Sequence, residues 1–218
     1  MSSARVIHEI NVHEAENIVR NIFFPAMEAD PDPLHRVMFP SAAEMTERQR
    51  SEIVQWYSGS LEDALERQTG NFLQICTSED TPVGFCGWRI EPSQPGEIKP
   101  RNPSRRDAQN LLPETLDVEA WTSASRVLRQ ERERTLKTLD TFCRLTFMAV
   151  RPDAQRQGFG SQLLQSVCNK IDERRLPAFV MASPAGVRLY QKLGFEAVGK
   201  VEMPTGTITS MFRPAAST

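Results

Sequence analysis

The stretch that decides the fold of this chain reads Leu145-Thr146-Phe147-Met148-Ala149-Val150-Arg151-Pro152-Asp153-Ala154-Gln155-Arg156-Gln157-Gly158-Phe159-Gly160-Ser161. Its first six residues are mostly apolar, which is typical of a buried strand. The apolar residues that follow the two glycines have the spacing of an amphipathic helix: Leu163, Leu164, Val167, Cys168 and Ile171. A strand, a glycine-containing loop and a helix in this order put free N–H groups and the positive end of a helix dipole where an anion can bind.

The anion that suits this loop best is a pyrophosphate. Gly158 and Gly160 lack Cβ atoms, so the backbone can approach a ligand closely. Arg156 adds positive charge, and Ser161 adds a hydroxyl donor. A dinucleotide fold needs a third glycine where Leu163 stands, and a phosphate-binding NTPase loop needs a Gly-Lys-Ser/Thr sequence that is missing. On these residues alone, a glycine turn without a ligand stays open as the alternative.

Two blocks of sequence carry a resemblance to a known family. Gln155–Gly160 resembles the Gln/Arg-x-x-Gly-x-Gly/Ala signature of the GCN5-related N-acetyltransferase (GNAT) superfamily. Ala182–Phe195 looks like the later strand–helix signature of the same superfamily. The resemblance is specific over Leu145–Gly199 and only topological over residues 1–90, while residues 91–140 look like an insertion. The long insertion and the Ala-Ser-Pro-Ala-Gly block are similar to fungal members.

The resemblance implies a fold and a cofactor. The fold is α/β (α+β), with a mixed, mostly antiparallel central sheet that splays between its fourth and fifth strands and is flanked by helices. The cofactor is acetyl-CoA, whose pantetheine arm would pair with β-strand backbone and whose pyrophosphate would sit on the loop amides. The implied cofactor-binding residues are Met148, Ala149, Val150, Gln155, Arg156, Gln157, Gly158, Phe159, Gly160, Ser161, Ser183 and Tyr190. Many members carry asparagine where Ser183 stands, and serine can make similar hydrogen bonds.

Tyr190 is the implied catalytic residue, which would protonate the leaving thiolate of CoA. A positioned proton donor is typically worth about 10²–10⁴-fold in rate. An aromatic residue on a short helix is also a common packing residue, and this alternative stays open.

The general base and the residues that line the acceptor site are harder to identify from the sequence. Stretch 145–150 contains no carboxylate or histidine that could act as a general base. The candidates from the region that usually walls the acceptor pocket are Glu28, Asp30, Asp32 and His35. Trp88, Phe23, Phe24 and Phe39 are interpreted either as lining of a partly apolar acceptor site or as core residues.

The predicted organisation is one domain over residues 1–213, with a disordered tail over 214–218. Ser41 and Glu44 suggest a capping box for a helix that ends near Tyr57, before Ser58-Gly59. The proline-rich stretch Glu91–Pro113 predicts an exposed loop, which could be a lid, a partner contact or a tolerated insertion. A helix is predicted over Thr115–Asp140, with the charged run 131–134 facing solvent.

Composition narrows the class of protein. The 218 residues are 39% hydrophobic and 25% charged, with a net charge of −2, as is usual for a globular protein. This balance gives no global positive field for nucleic acid or an anionic membrane, and no apolar run approaches the ~20 residues of a membrane span. The N-terminus lacks the apolar core of a secretion signal, so a cytoplasmic location is expected. The four cysteines form no Cys-x-x-Cys pair and are expected to be buried, reduced thiols; the three histidines lack metal-ligand spacing, so no metal is expected.

These observations lead to one functional hypothesis and two alternatives. The hypothesis is an acetyl-CoA-dependent N-acetyltransferase, monomeric or homodimeric, in which a small-molecule amine attacks the thioester directly in a ternary complex. The first alternative is a non-catalytic acyl-CoA-binding or regulatory domain. The second is a protein-modifying acetyltransferase that meets its partner through Glu91–Pro113.

Overall fold

A computed structural model describes residues 5–92 and 112–216, which form one seven-stranded sheet between helices. The strand order is β1-β2-β3-β4-β5-β7-β6. All neighbouring strands are antiparallel except β4 and β5, which are parallel. The mixed, mostly antiparallel sheet is therefore confirmed. The strands are β1 Val6–Glu9, β2 Asn71–Cys76, β3 Pro82–Pro92, β4 Thr141–Val150, β5 Ala178–Ala182, β6 Glu196–Met203 and β7 Gly206–Arg213.

The sheet opens between β4 and β5. Within the described residues these strands pair only at Cys143↔Ala178 and Arg144↔Phe179, although β4 continues to Val150. The splay between the fourth and fifth strands is confirmed. At the same level, the register between β3 and β4 shifts, because Gly87 pairs with Phe147 and Trp88 pairs with Leu145, leaving Thr146 as the extra residue of a bulge. A bulge bends its strand, so it lies where β4 turns away from β5.

Helices cover both faces of the sheet. The described helices are α1 Ala15–Ile18, α2 Phe24–Ala29, α3 Pro33–Met38, α4 Glu47–Glu66, α5 Val118–Leu136, α6 Phe159–Glu173 and α7 Val187–Gln191, with a π-helical segment Val19–Phe23 joining α1 to α2. Short 3-10 turns occupy Val12–Glu14, Ala42–Glu44 and Pro152–Ala154. None of the helices described here is both long enough and apolar enough to cross a membrane.

Alternate residues of the central strands feed two separate cores. Phe72 and Phe85 pack with the N-terminal helices, while their neighbours Leu73 and Cys86 pack with α6. This is the period of two expected for a strand buried on both faces. The two cores place α1–α4 on one face of the sheet and α6 on the other.

The predicted start of α4 is wrong. Residues Ala42–Glu44 form a 3-10 turn, and Thr46 is the cap, with its hydroxyl accepting a hydrogen bond from the Gln49 N–H (3.3 Å) and the Gln49 side chain accepting from the Thr46 N–H (2.9 Å). The helix also continues through Ser58-Gly59 to Glu66, because Ser58 is buried against the core rather than exposed in a turn. Tertiary packing overrides the weak local signal.

The insertion is described only in part. Most of the loop predicted over Glu91–Pro113 lies at 93–111, outside the described residues, as does 217–218 of the predicted tail. The predicted helix is α5, which is shorter at both ends, because Asp117 caps it and β4 begins at Thr141. Part of its charged run faces the sheet, where the Ser210 hydroxyl donates to Glu131 Oε1 (2.6 Å). Glu133 and Arg134 are exposed, so the prediction of a mostly solvated face holds for this half of the run.

The four cysteines are buried and free of disulfides, as predicted. Burial raises the pKa of every one of these thiols, to about 11 at Cys76 and at Cys168. They are therefore protonated at neutral pH and act as small apolar side chains.

Candidate active site

A cavity of about 1570 Å³ runs from the opening between β4 and β5 to the space between α2, α3 and α4. Ten of the twelve residues predicted to bind the cofactor line it: Met148, Ala149, Val150, Gln155, Arg156, Gly158, Gly160, Ser161, Ser183 and Tyr190. Gln157 and Phe159 do not. The structure thus brings the loop, the splayed strand and the second sequence block to one cavity.

The loop before α6 is fixed by hydrogen bonds that its side chains donate to nearby backbone carbonyls. The Gln155 amide donates to the Val150 carbonyl (3.0 Å), and the Gln157 amide donates to the Asp153 carbonyl (2.8 Å). Gly158 precedes α6 with a φ of +88°, a conformation that favours glycine. The first N–H groups of a helix have no intrahelical partner, so the first turn of α6 offers donors to a ligand.

Gly160 brings α6 close to the splayed strand. A Cβ atom at this position would lie 3.3 Å from Met148 Cε and 3.4 Å from Val150 Cγ2. The slot between the first turn of α6 and β4 is therefore narrow, and a glycine keeps it open.

Arg5 contacts this loop, although nothing in the sequence indicated that it would. Its guanidinium donates to the Gln157 carbonyl (2.6 Å) and lies 4.1 Å above the ring of Phe159. Phe159 is the first residue of α6, and its side chain is buried. Gln157 and Phe159 do not line the cavity, because they contact Arg5 and in this way fix the loop. No local signal connects residue 5 with residue 157, since the contact depends on the position of β1.

Charge is unevenly distributed along the cavity. The charged residues that line it near the loop and α7 are the cations Arg156, Arg188 and Lys192. The carboxylates that line it come from the other end, at Asp30, Asp32 and Asp63. The loop end is thus suited to an anion.

Tyr190 lies on α7 in the wall of the cavity and is 5% exposed. Its ring packs edge-on against Phe195, with centroids 5.5 Å apart, and a Cβ atom on Gly186 would come within 3.1 Å of the ring. Burial raises the pKa of the Tyr190 hydroxyl well above its usual range. The hydroxyl is therefore protonated at neutral pH, the form that can donate a proton.

The opposite end of the cavity is aromatic. It is lined by Phe23, Trp56, Tyr57, Trp121 and Phe147. Sequence reasoning found only Phe23 among them. Phe24 and Phe39 are core residues that do not line the cavity, and Trp88 packs in the core on the α6 side of the sheet. The interpretation of Phe24, Phe39 and Trp88 as acceptor-site residues is therefore wrong.

Three of the four candidate bases reach this end of the cavity: Asp30, Asp32 and His35. Glu28 instead pairs with Arg50 outside the lining. Asp32 caps α3 by accepting a hydrogen bond from the His35 N–H (2.7 Å). His35 is 5% exposed, and its Nδ1 lies 3.5 Å from the Tyr57 hydroxyl oxygen. Burial lowers the pKa of His35, against a smaller opposing effect of Asp32, so its imidazole is neutral at pH 7.

One further cluster lies outside the cavity. The fold brings ligand atoms of His8, Cys76 and Asp80 within 4.8 Å of one another, which their spacing in the sequence does not reveal. His8 Nε2 lies 3.4 Å from Cys76 Sγ. A hydrogen bond between the thiol and the imidazole accounts for this contact.

Residues 127–209 match the family model of the acetyltransferase (GNAT) domain. This segment contains the glycine loop, α6 and Tyr190. No curated protein sequence matches the chain.

Solved structures resemble the whole chain. Arylalkylamine N-acetyltransferase 2 from Aedes aegypti superposes with a TM-score of 0.64 at 12% identity, over 96% of this chain and 98% of that one. Polyamine N-acetyltransferase from Drosophila melanogaster gives 0.62 at 13%, over 96% and 99%. The PaiA N-acetyltransferase from Thermoplasma acidophilum, solved with coenzyme A, gives 0.58 at 11%, over 97% and 99%. These likenesses show that the chain has the GNAT fold.

Proposed function

We propose that this chain is an acetyl-CoA-dependent N-acetyltransferase that acetylates a small-molecule amine. The observation that carries the proposal is the single cavity, in which a glycine loop with cations, a splayed strand and a protonated tyrosine meet an aromatic end with carboxylates. The match of residues 127–209 to an acetyltransferase domain supports it, as do fold neighbours that act on arylalkylamines and polyamines. Residues 1–213 would form one catalytic domain. The chain would be a fungal-type member, since its long insertion and its Ala-Ser-Pro-Ala-Gly block are similar to those of fungal members.

Acetyl-CoA would enter with its phosphates on the loop. The first-turn amides of α6, from Phe159 to Ser161, would donate to the pyrophosphate, and Arg156 would add charge. The unpaired edge of β4 over Met148–Val150 would pair with the amides of the pantetheine arm. The thioester would then lie near Tyr190, between β4 and β5.

The proposed reaction has one bond-forming step. The neutral amine attacks the thioester carbonyl, the new C–N bond forms and the C–S bond breaks. Tyr190 gives its hydroxyl proton to the departing thiolate, and the proton that the acetylated nitrogen loses returns the tyrosinate to its neutral form. We expect Tyr190→Phe to lower kcat by at least roughly tenfold, while acetyl-CoA still binds, because the Phe195 contact involves the ring alone. Normal turnover by this variant would remove Tyr190 from the mechanism.

An amine reaches the site mainly as an ammonium ion and must first lose a proton. We assign this step to His35, since it is neutral, buried and in the cavity wall, whereas Asp32 is engaged in capping α3. The Tyr57 hydroxyl can relay the proton to Nδ1. The pH dependence of kcat/KM should lose its acidic limb in His35→Gln and keep it in Asp30→Asn. An unchanged limb in His35→Gln would exclude His35 as the base.

The first experiment measures thermal unfolding with and without acetyl-CoA or CoA. A ligand at ~100 times its Kd stabilises a fold by about 2.7 kcal/mol, which corresponds to a melting shift of roughly 5–10 °C for a chain of this size. A shift followed by acetylation of an amine panel supports the proposal. A shift without any turnover would favour the non-catalytic acyl-CoA-binding alternative, and no shift at millimolar ligand would refute cofactor binding.

A further inference from the structure

The aromatic end of the cavity is built from four separate parts of the chain. Phe23 comes from the π-helical segment, Trp56 and Tyr57 from α4, Phe147 from β4 and Trp121 from α5. Trp121 lies before the segment that matches the acetyltransferase domain, within the insertion. The insertion therefore contributes one wall of the aromatic end.

Several pairs of these rings meet nearly edge to face, although Tyr57 also stacks on His35 and Phe147 on Phe85. Trp121 meets Trp56 at 89° with centroids 5.5 Å apart, and Phe23 meets Tyr57 at 71° and 4.8 Å. Phe23 also meets Phe147 at 86° and 5.8 Å, which extends the corner to the splayed strand. A ring placed between such walls can meet one face and one edge, the arrangements that aromatic pairs prefer.

These rings also retain surface that the protein does not cover. Trp56, Tyr57, Trp121 and Phe147 are only partly buried, although each lines the cavity. Large aromatic side chains that served only as core would be expected to lie deeper, as Phe39 and Phe85 do at 1% exposure. The uncovered surface faces the same cavity as the cofactor loop, so a ligand that fills it would meet the thioester.

The position of Trp121 is fixed by the anchoring of α5. The Asp117 N–H donates to the Met38 carbonyl (2.9 Å), which ties the start of α5 to the end of α3. Leu116 is buried in the N-terminal core beside this contact. The Trp121 wall is therefore held in place rather than left on an unsupported loop.

The charges at this end do not suit a long polycation. Asp63 is paired with Arg67 (2.6 Å), and Asp32 caps α3. Arg67 and Arg89 also line the cavity, and each is held in an ion pair. Asp30 is thus the lining carboxylate of the described residues that is left to meet an ammonium group. A single ammonium with an apolar body fits this distribution better.

We propose that the acceptor is a primary amine attached to a flat, apolar ring, and that Trp121 of the insertion is a specificity residue that contacts this ring. The inference rests on the proposed function and deepens it. The ring fills the corner formed by Trp56, Tyr57 and Trp121, and its amine points along Phe147 toward β4.

The test compares amines and variants in the same acetyl-CoA-dependent assay. The substrates are 2-phenylethylamine, tryptamine, propylamine and spermidine. We expect kcat/KM at least tenfold higher for the ring-bearing amines. Trp121→Ala should lower their kcat/KM about tenfold, mainly through KM, and leave propylamine and the KM of acetyl-CoA unchanged. Trp121→Phe should keep most of the activity, and Val127→Ala, at an exposed site on the same helix, is the matched control.

Calorimetry separates this inference from the proposed function. Tryptamine should bind to the CoA-loaded protein whether or not acetyl transfer occurs, and Trp121→Ala should weaken that binding. Binding without turnover would refute the transferase and retain the ring site. Failure of tryptamine to bind, preference for spermidine, or an equal loss for all amines in Trp121→Ala would overturn the ring site.

Discussion

Gly87→Ala tests the link between the bulge and the open sheet. An added Cβ atom would lie 2.7 Å from Phe72 Cε1 and 2.8 Å from Thr146 Oγ1. Thr146 is the extra residue of the bulge, so the methyl group would press on the residue where β4 leaves β5. Either the Phe72 ring or the bulge must move.

The size of the effect follows from these contacts. Overpacking a filled core costs about 1–3 kcal/mol, and replacing glycine recovers about 0.4–1 kcal/mol from the unfolded chain. A net loss of about 1–2 kcal/mol lowers the melting temperature of a chain of this size by roughly 2–8 °C. Because the bulge sets the opening of the sheet, we also expect weaker binding of acetyl-CoA.

The assay is thermal unfolding of the variant, followed by a titration with acetyl-CoA at a temperature where it is folded. Gly70→Ala is the matched control, since its methyl group approaches the same Phe72 ring at a looser 3.1 Å. It should cost less and leave acetyl-CoA affinity unchanged. A Gly87→Ala protein as stable as the wild type, with the same affinity, would refute the role given to this glycine.

Three further predictions concern other parts of the molecule. Gly158→Ala forces an L-residue to a φ of +88° and should cost about 1–2 kcal/mol and weaken acetyl-CoA binding, whereas Gly194→Ala, at +84°, should cost similar stability without loss of affinity in a calorimetric titration. Because folding lowers the pKa of His35, the stability that comes from keeping this side chain neutral is fully present above about pH 6.5 and is lost as the pH falls below that value. Urea unfolding at several pH values should therefore show a smaller loss of stability for His35→Gln than for the wild type. Arg213→Lys breaks the two-pronged ion pair with Asp172 (2.5 and 2.7 Å) and should lower the melting temperature by a few degrees without changing the KM of acetyl-CoA.

The half of the site near the loop could be predicted because its signals are local. The strand, Gly158 and the helix follow one another within 33 residues, so the loop that reaches the cavity could be located from a short stretch of sequence. The helix cap at Thr46 could not be identified from the sequence, since Ser41 and Glu44 fit the same capping-box pattern as Thr46 and Gln49. Only the hydrogen bonds between Thr46 and Gln49 in the structure show which one starts the long helix.

The aromatic half could not be predicted, because it depends on which face of the sheet each side chain occupies and on contacts between residues far apart in the sequence. Trp88 and Arg89 are adjacent, yet the strand turns Trp88 to the α6 core and Arg89 to the cavity. Assigning those faces requires knowing which helices lie on each side of the sheet. Trp56 and Trp121 meet only because α5 docks on α3, a contact without any sequence signature.

The opening between β4 and β5 also has a consequence for inhibitor design. Beyond Arg144 and Phe179, the facing edges of β4 and β5 present backbone donors and acceptors that no strand within residues 5–92 and 112–216 pairs with. Such an edge recognises amide groups at strand spacing and does not distinguish the molecule that carries them. A short extended peptidomimetic, carrying an anionic group for the α6 terminus, should therefore compete with acetyl-CoA without resembling a nucleotide.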